Sequence, residues 1–221
     1  MMLFVKDLSI HGPSGPIVKN ISFKIKKGKC LALVGESGSG KSMIALTLMG
    51  LLPPQLNPCD YSESKKVNAI KKAMIFQEPM SSLNPTMRVG EQIMEGAMTS
   101  LKLTKPQAKE EAIMWIDKVK IKNAKTAFLK YPHQLSGGER QRVMIAMAMI
   151  MQPELLIADE PTTALDQRVA DDILSLVHDL QIEKQVSLLF ISHDIYAVKR
   201  ISDDIMVIHK GREVESGKTI E

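Results

Sequence analysis

Residues suited to phosphate chemistry fall into three groups in this chain. The first is Gly35-Glu36-Ser37-Gly38-Ser39-Gly40-Lys41-Ser42. Glycines at 35, 38 and 40 let the backbone curl so that successive N–H groups converge on an anion, and the positive end of a following helix adds to the attraction. All of Gly35, Glu36, Ser37, Gly38, Ser39 and Gly40 are expected to line the phosphates, with Lys41 reaching the outer two and Ser42 offering its hydroxyl to Mg²⁺. A dinucleotide fingerprint fails, because the last glycine of G-x-G-x-x-G would fall at Met43.

The second group is the strand-like run Leu155-Leu156-Ile157-Ala158, which ends on Asp159-Glu160. An apolar strand inside a parallel sheet that ends in carboxylates places Asp159 to hold Mg²⁺, directly or through water, and Glu160 to orient and deprotonate an attacking water. The third is Leu135-Ser136-Gly137-Gly138-Glu139-Arg140-Gln141-Arg142. Ser136 caps a helix whose first glycines expose N–H groups, so this start also favours an anion. One ATP cannot use two distant helix starts of the same subunit. Ser136, Gly138 and Glu139 are therefore expected to complete a site on another subunit.

These groups need an α/β framework. Cys30 to Val34 reads as a strand before the first loop and Met43 to Leu52 as a helix after it. Leu3 to Ile10 and Ile21 to Ile25 alternate as strands around a Gly/Pro-rich turn, and Ala73 to Phe76 is a strand delivering Gln77. Val89 to Leu101 and Pro106 to Val119 have helical spacing, so residues 80–135 read as a helical insertion in a single domain spanning 1–221. Val143 to Met151 is a buried helix and Asp171 to Glu183 an amphipathic one. Val186 to Ile191 is a strand ending at Ser192-His193, and a hairpin closes the sequence.

Composition narrows the classes. With 221 residues, 44% of them hydrophobic and 24% charged, the chain can bury a full core. The net charge of +4 is dispersed, so nucleic acid is not expected as a partner. Two cysteines exclude a disulfide framework and fit a reducing compartment. No apolar run reaches the length of a membrane span. The 15 methionines include Met144, Met147 and Met151 at helical spacing, which predicts core packing rather than thioether ligands.

With these motifs in register, the chain resembles the nucleotide-binding subunit of an ABC transporter. The signature is Leu135 to Arg142, the phosphate loop Gly35 to Ser42, the Q-loop Gln77, the Walker B strand Leu155 to Glu160, the D-loop Ala164-Leu165-Asp166 and the switch histidine His193. The stretches Ile75 to Pro85, Tyr131 to Gly138 and Ile157 to Asp166 resemble the oligopeptide/dipeptide/nickel importer branch. The resemblance implies a P-loop NTPase fold with a RecA-like core, a small antiparallel β subdomain and a helical subdomain. It also implies ATP and Mg²⁺ as cofactors and hydrolysis in a head-to-tail dimer, either a homodimer or a heterodimer with a paralogous ATPase.

The same resemblance implies two integral membrane permease subunits as partners, an extracytoplasmic solute-binding protein as an indirect one, and a peripheral position on the cytoplasmic face of the membrane. His193 would contact the γ-phosphate, and Gln77 would touch Mg²⁺ and relay nucleotide state. A soluble ABC ATPase of DNA repair or translation would share these motifs, but such chains often carry coiled coils or a second ATPase unit. The sequence departs from the family in two places. Ile10-His11-Gly12 stands where an aromatic residue usually stacks on adenine, which leaves His11 as the ring available, and the interval from Gly50 to Ala73 is short enough that a strand pair is expected to be missing.

Overall fold

The computed structural model describes residues 2–59, 62–63, 70–78, 82–163 and 165–219. Two compact units divide it: Met1–Met74, Glu154–Glu160 and Leu180–Glu221 form one, and Ile75–Pro153 and Pro161–Asp179 the other.

The first unit holds two sheets. β1 (Met2–Gly12) and β2 (Gly15–Lys26) make a long antiparallel hairpin, and β4 (Asn57–Cys59) and β5 (Ser62–Glu63) pair with β1. The strand pair expected to be missing is thus present as two short strands against β1, and Asp60 and Tyr61 lie outside the described residues. β2 begins in the stretch read as a turn, since only Pro13-Ser14 separates the hairpin arms. A proline at position 16 is tolerated because β2 is the outer strand of this sheet.

The second sheet has the order β10-β9-β3-β8-β7-β6, with β3 (Cys30–Val34), β6 (Lys72–Ile75), β7 (Leu155–Asp159), β8 (Ser187–Ser192), β9 (Asp204–His209) and β10 (Arg212–Lys218). β3, β7, β8 and β9 run parallel where they pair, and β10 turns back antiparallel on β9. Every residue of β3 and of β7 is buried, the pattern of strands covered on both faces. α1 (Lys41–Met49) follows β3 and sends Ile44, Ala45 and Leu48 into a core with Ile10, Val18, Leu33, Ile157 and Leu189.

The second unit is helical. α2 (Val89–Ser100), α3 (Lys105–Lys118), α4 (Ala124–Ala127) and α5 (Gly137–Ile150) lie in it, and α6 (Gln167–Lys184) begins there. Ala108, Ala112, Trp115 and Ile116 form the buried stripe of α3. The small residue Gly90 lets α2 approach Phe128, whose ring occupies the space a Cβ would need. Of the three methionines expected to be core, Met144 is buried, while Met147 and Met151 are half-buried. α6 itself carries the chain back into the first unit at Leu180, and β8 and α7 (Ile195–Ile201) follow there. No helix among the described residues is long and apolar enough to cross a membrane.

Candidate nucleotide site

Parallel pairing brings three strand ends level. Val34 is opposite Ser192 and Asp159 opposite Ile191, so Gly35, Glu160 and His193 all emerge at one edge of the sheet. That edge, beyond the carboxyl ends of parallel strands, is where open α/β sheets bind ligands.

The loop from Gly35 to Gly40 bends through left-handed conformations at Gly38 (φ 78°) and Gly40 (φ 101°), and α1 starts directly after it. Gly35 passes so near the Ile208 carbonyl that a Cβ would collide with it. The Lys41 ammonium is buried inside the loop's curve, donating to the carbonyls of Gly35 (2.8 Å) and Glu36 (2.9 Å) and to Ser39 Oγ (3.4 Å). Burial pulls its pKa below the ordinary lysine value, and the carboxylates of Glu160 and Asp159 oppose that shift. The loop thus holds a positive charge at its centre.

Asp159 is almost wholly buried at the end of β7. Burial raises its pKa; the Ser42 hydroxyl, which hydrogen-bonds to it, lowers it, Glu160 raises it further and Lys41 lowers it. Its Oδ1 has no hydrogen-bond partner. A buried carboxylate oxygen without a partner, beside a serine hydroxyl and a phosphate loop, is the donor set a hard divalent cation takes, so the residues fit Mg²⁺.

Glu160 has a left-handed backbone (φ 47°), an uncommon state for a residue with a side chain, and its N–H donates to Ile191 O at 2.9 Å. Its Oε1 lies 3.3 Å from His193 Nδ1. His193 is exposed at 62% of its side-chain surface while Glu160 keeps 14%, so the imidazole faces outward over a largely covered carboxylate. Ser192 Oγ accepts from Asp194 N, and Asp194 in turn caps α7 by accepting from Tyr196 N, which fixes the strand end carrying His193.

Of the remaining sequence-selected residues, Gln77, Ser136, Gly138 and Glu139 belong to the second unit and His11 to the first. Gln77 is exposed just after β6, and Pro79, Met80 and Ser81 lie outside the described residues. Ser136 caps α5 reciprocally: Glu139 N donates to Ser136 Oγ at 3.3 Å, and Ser136 N donates to Glu139 Oε2 at 2.9 Å. Gly138 has no room for a side chain because Val169 Cγ1 packs against it. Ala164 of the D-loop lies outside the described residues. His11 is exposed on β1.

Sequence reasoning missed Gln92. Its buried amide accepts from Asn84 N (2.9 Å) and donates to the carbonyls of Asn84 and Met87 (3.0 Å each), clamping the turn that precedes α2. Ser82 Oγ, donating to Glu78 O at 2.8 Å, ties that turn to the residue after Gln77.

The ABC transporter family profile matches residues 18–163. The oligopeptide transport ATP-binding protein OppD of Escherichia coli K12 is 44% identical over 98% of this chain and 69% of its own length. The glutathione import ATP-binding protein GsiA of the same strain is 44% identical over 92% of this chain, which spans 36% of that relative's length. Among solved structures, the dimeric ATP-binding cassette MJ0796 in a post-hydrolysis state with ADP and Pi has a TM-score of 0.84 at 23% identity, covering 99% of each chain, a likeness of fold. CbiO1 of Clostridium perfringens, part of the cbiONQ transporter complex, has a TM-score of 0.83 at 27% identity over 98% of this chain and 88% of its own. A phosphate loop, a strand-end acid pair and a facing histidine, on a fold and sequence shared with these proteins, place the chain in the ABC transporter family as an ATP-binding, ATP-hydrolysing subunit.

Proposed function

We propose that this chain hydrolyses ATP at the edge formed by Gly35 to Ser42, Asp159, Glu160 and His193, and that the reaction drives uptake of short peptides through membrane partners. The observation that carries the site is the buried Asp159 carboxylate, with an unpartnered Oδ1 beside the Ser42 hydroxyl and the phosphate loop. The solute class rests on the peptide and glutathione importers to which the chain is similar.

In this reading, Lys41 exchanges the Gly35 and Glu36 carbonyls for the β- and γ-phosphate oxygens, while the loop N–H groups hold the remaining oxygens. Ser42 and Asp159 would hold Mg²⁺, which supplies charge neutralisation on the phosphates. Glu160 Oε1 takes a proton from a water whose oxygen bonds to the γ-phosphorus as the bond to the β-phosphate oxygen breaks, giving ADP and phosphate. His193, 3.3 Å from that carboxylate, steadies the water and the γ-phosphate. Ser136, Gly138 and Glu139 donate their helix start to nucleotide on a second ATPase subunit, completing a head-to-tail dimer.

The exposed Gln77 reports nucleotide state to two integral membrane subunits, which a solute-binding protein feeds from outside, so the chain works as a peripheral subunit on the cytoplasmic face. Purification from its native membrane tests this. Recovery with a pair of integral membrane proteins, and ATPase activity raised by a peptide-loaded binding protein, are expected. Recovery with nucleic acid and no membrane pair would contradict it.

A further inference from the structure

The charge of this chain, dispersed over most of its length, has one sign from Lys118 to Gly138, a stretch with five lysines and no acidic residue. Lys118, Lys120, Lys122 and Lys125 fall within eight residues of it, between the end of α3 and the start of α4. Alternation with Val119 and Ile121, both buried, turns Lys120 and Lys122 outward, and Lys125 is exposed as well. None of these three forms an ion pair among the described residues.

The backbone holds the group in one shape. α3 ends in a Schellman turn, in which Lys120 N donates to Asp117 O at 2.8 Å and Ile121 N to Ile116 O at 3.1 Å. Lys120 takes the left-handed position (φ 60°) that glycine usually fills, and Asn123 is left-handed too (φ 54°). Arg142 Nη1 donates to Val119 O at 2.9 Å, which fastens the turn to α5. Fold stability accounts for only part of the charge. Lys118 and Lys120 complement the carbonyl end of α3, and the Lys118 ammonium lies 5.3 Å from the centre of the Trp115 ring. Lys122 and Lys125 stand at the N–H end of α4, where a cation gains nothing from the helix.

We propose that Lys120, Lys122 and Lys125 bind the anionic headgroups of a lipid surface. This rests on the peripheral membrane position proposed above. Ammonium groups on flexible stems suit smeared negative charge, and the group lacks the planar fork with which arginine grips one phosphate, since Arg142 is engaged with Val119. Single-stranded nucleic acid would need open rings for its bases, whereas Trp115 and Phe128 are buried and Tyr131 stacks on His133. A bilayer surface asks only that cations be presented together, each lysine near it strengthening binding by about fivefold.

Sedimentation of the full chain with vesicles tests this, using phosphatidylcholine alone and phosphatidylcholine mixed with phosphatidylglycerol. Binding to the mixed vesicles only is expected, and raised salt should weaken it. Lys120→Gln/Lys122→Gln/Lys125→Gln should lower that binding about a hundredfold, with ATPase activity and Tm as in the wild type. Lys122→Gln/Lys125→Gln, which leaves the α3 turn untouched, should lower it about twenty-fivefold. Lys24→Gln/Lys26→Gln/Lys27→Gln removes as many charges at the end of β2 and should leave it unchanged. Equal binding to the two kinds of vesicle, or equal loss in the two triple variants, would overturn the proposal. So would tighter binding to an oligonucleotide than to the mixed vesicles, or displacement by inorganic phosphate beyond that by chloride at the same ionic strength, which would assign the lysines to free phosphate. Failure of the peripheral position itself shows separately, as purification without the membrane pair.

Discussion

Replacing Asp159 by Asn should stabilise the nucleotide-free chain while removing its response to Mg²⁺. The carboxylate is 5% exposed, one oxygen has no partner, and burial is the main reason its pKa is raised. An uncompensated buried polar group costs about 1–3 kcal/mol. The Ser42 hydrogen bond and Lys41 offset part of this, so about 1 kcal/mol is recovered when the charge goes. For a chain of this size that is a rise in Tm of about 2–4 °C.

The sign of the pH dependence follows from the raised pKa. The folded wild type favours the protonated carboxyl, a contribution present below the ordinary aspartate value and lost as pH rises through the raised one. The advantage of Asp159→Asn is therefore full at neutral pH and shrinks on acidification. With saturating Mg·ATP the order inverts, because ligand at about 100 times Kd adds about 2.7 kcal/mol to the wild type. Thermal unfolding in EDTA and in Mg·ATP, at neutral and acidic pH, reads all of this. A variant less stable in EDTA at neutral pH, or an advantage that grows with acid, would refute the reasoning.

Gln92→Leu removes three hydrogen bonds to backbone atoms, at about 1 kcal/mol each, and should lower Tm by roughly 6–12 °C in thermal unfolding. Gln92→Glu keeps the acceptor but sets a buried carboxylate against the Asn84 and Met87 carbonyls, and should lower Tm at least as far. His193→Ala should lower kcat by about a hundredfold with KM for ATP little changed, measured by phosphate release, because in the proposed mechanism its contact with Glu160 serves the chemical step.

The parts of the proposed site were legible because they are local patterns: a glycine loop between strand and helix, and an apolar run ending in acids. Strand order was not, yet the parallel register of β3, β7 and β8 is what brings Gly35, Glu160 and His193 level. β2 was hidden at its start because Gly15 and Pro16 read as turn, while an edge strand tolerates both. Gln92 was invisible as a clamp, since its partners are backbone atoms and carry no sequence signal. The left-handed backbone of Glu160 likewise carries no signal in its residue type.

The most direct test of the account is phosphate release from Mg·ATP by the Glu160→Gln chain, with nucleotide binding and dimerisation measured alongside. The substitution keeps size and removes the base, so turnover should fall by about a hundredfold or more while Mg·ATP still binds and holds two subunits together. Turnover at the wild-type rate would contradict the assignment of Glu160.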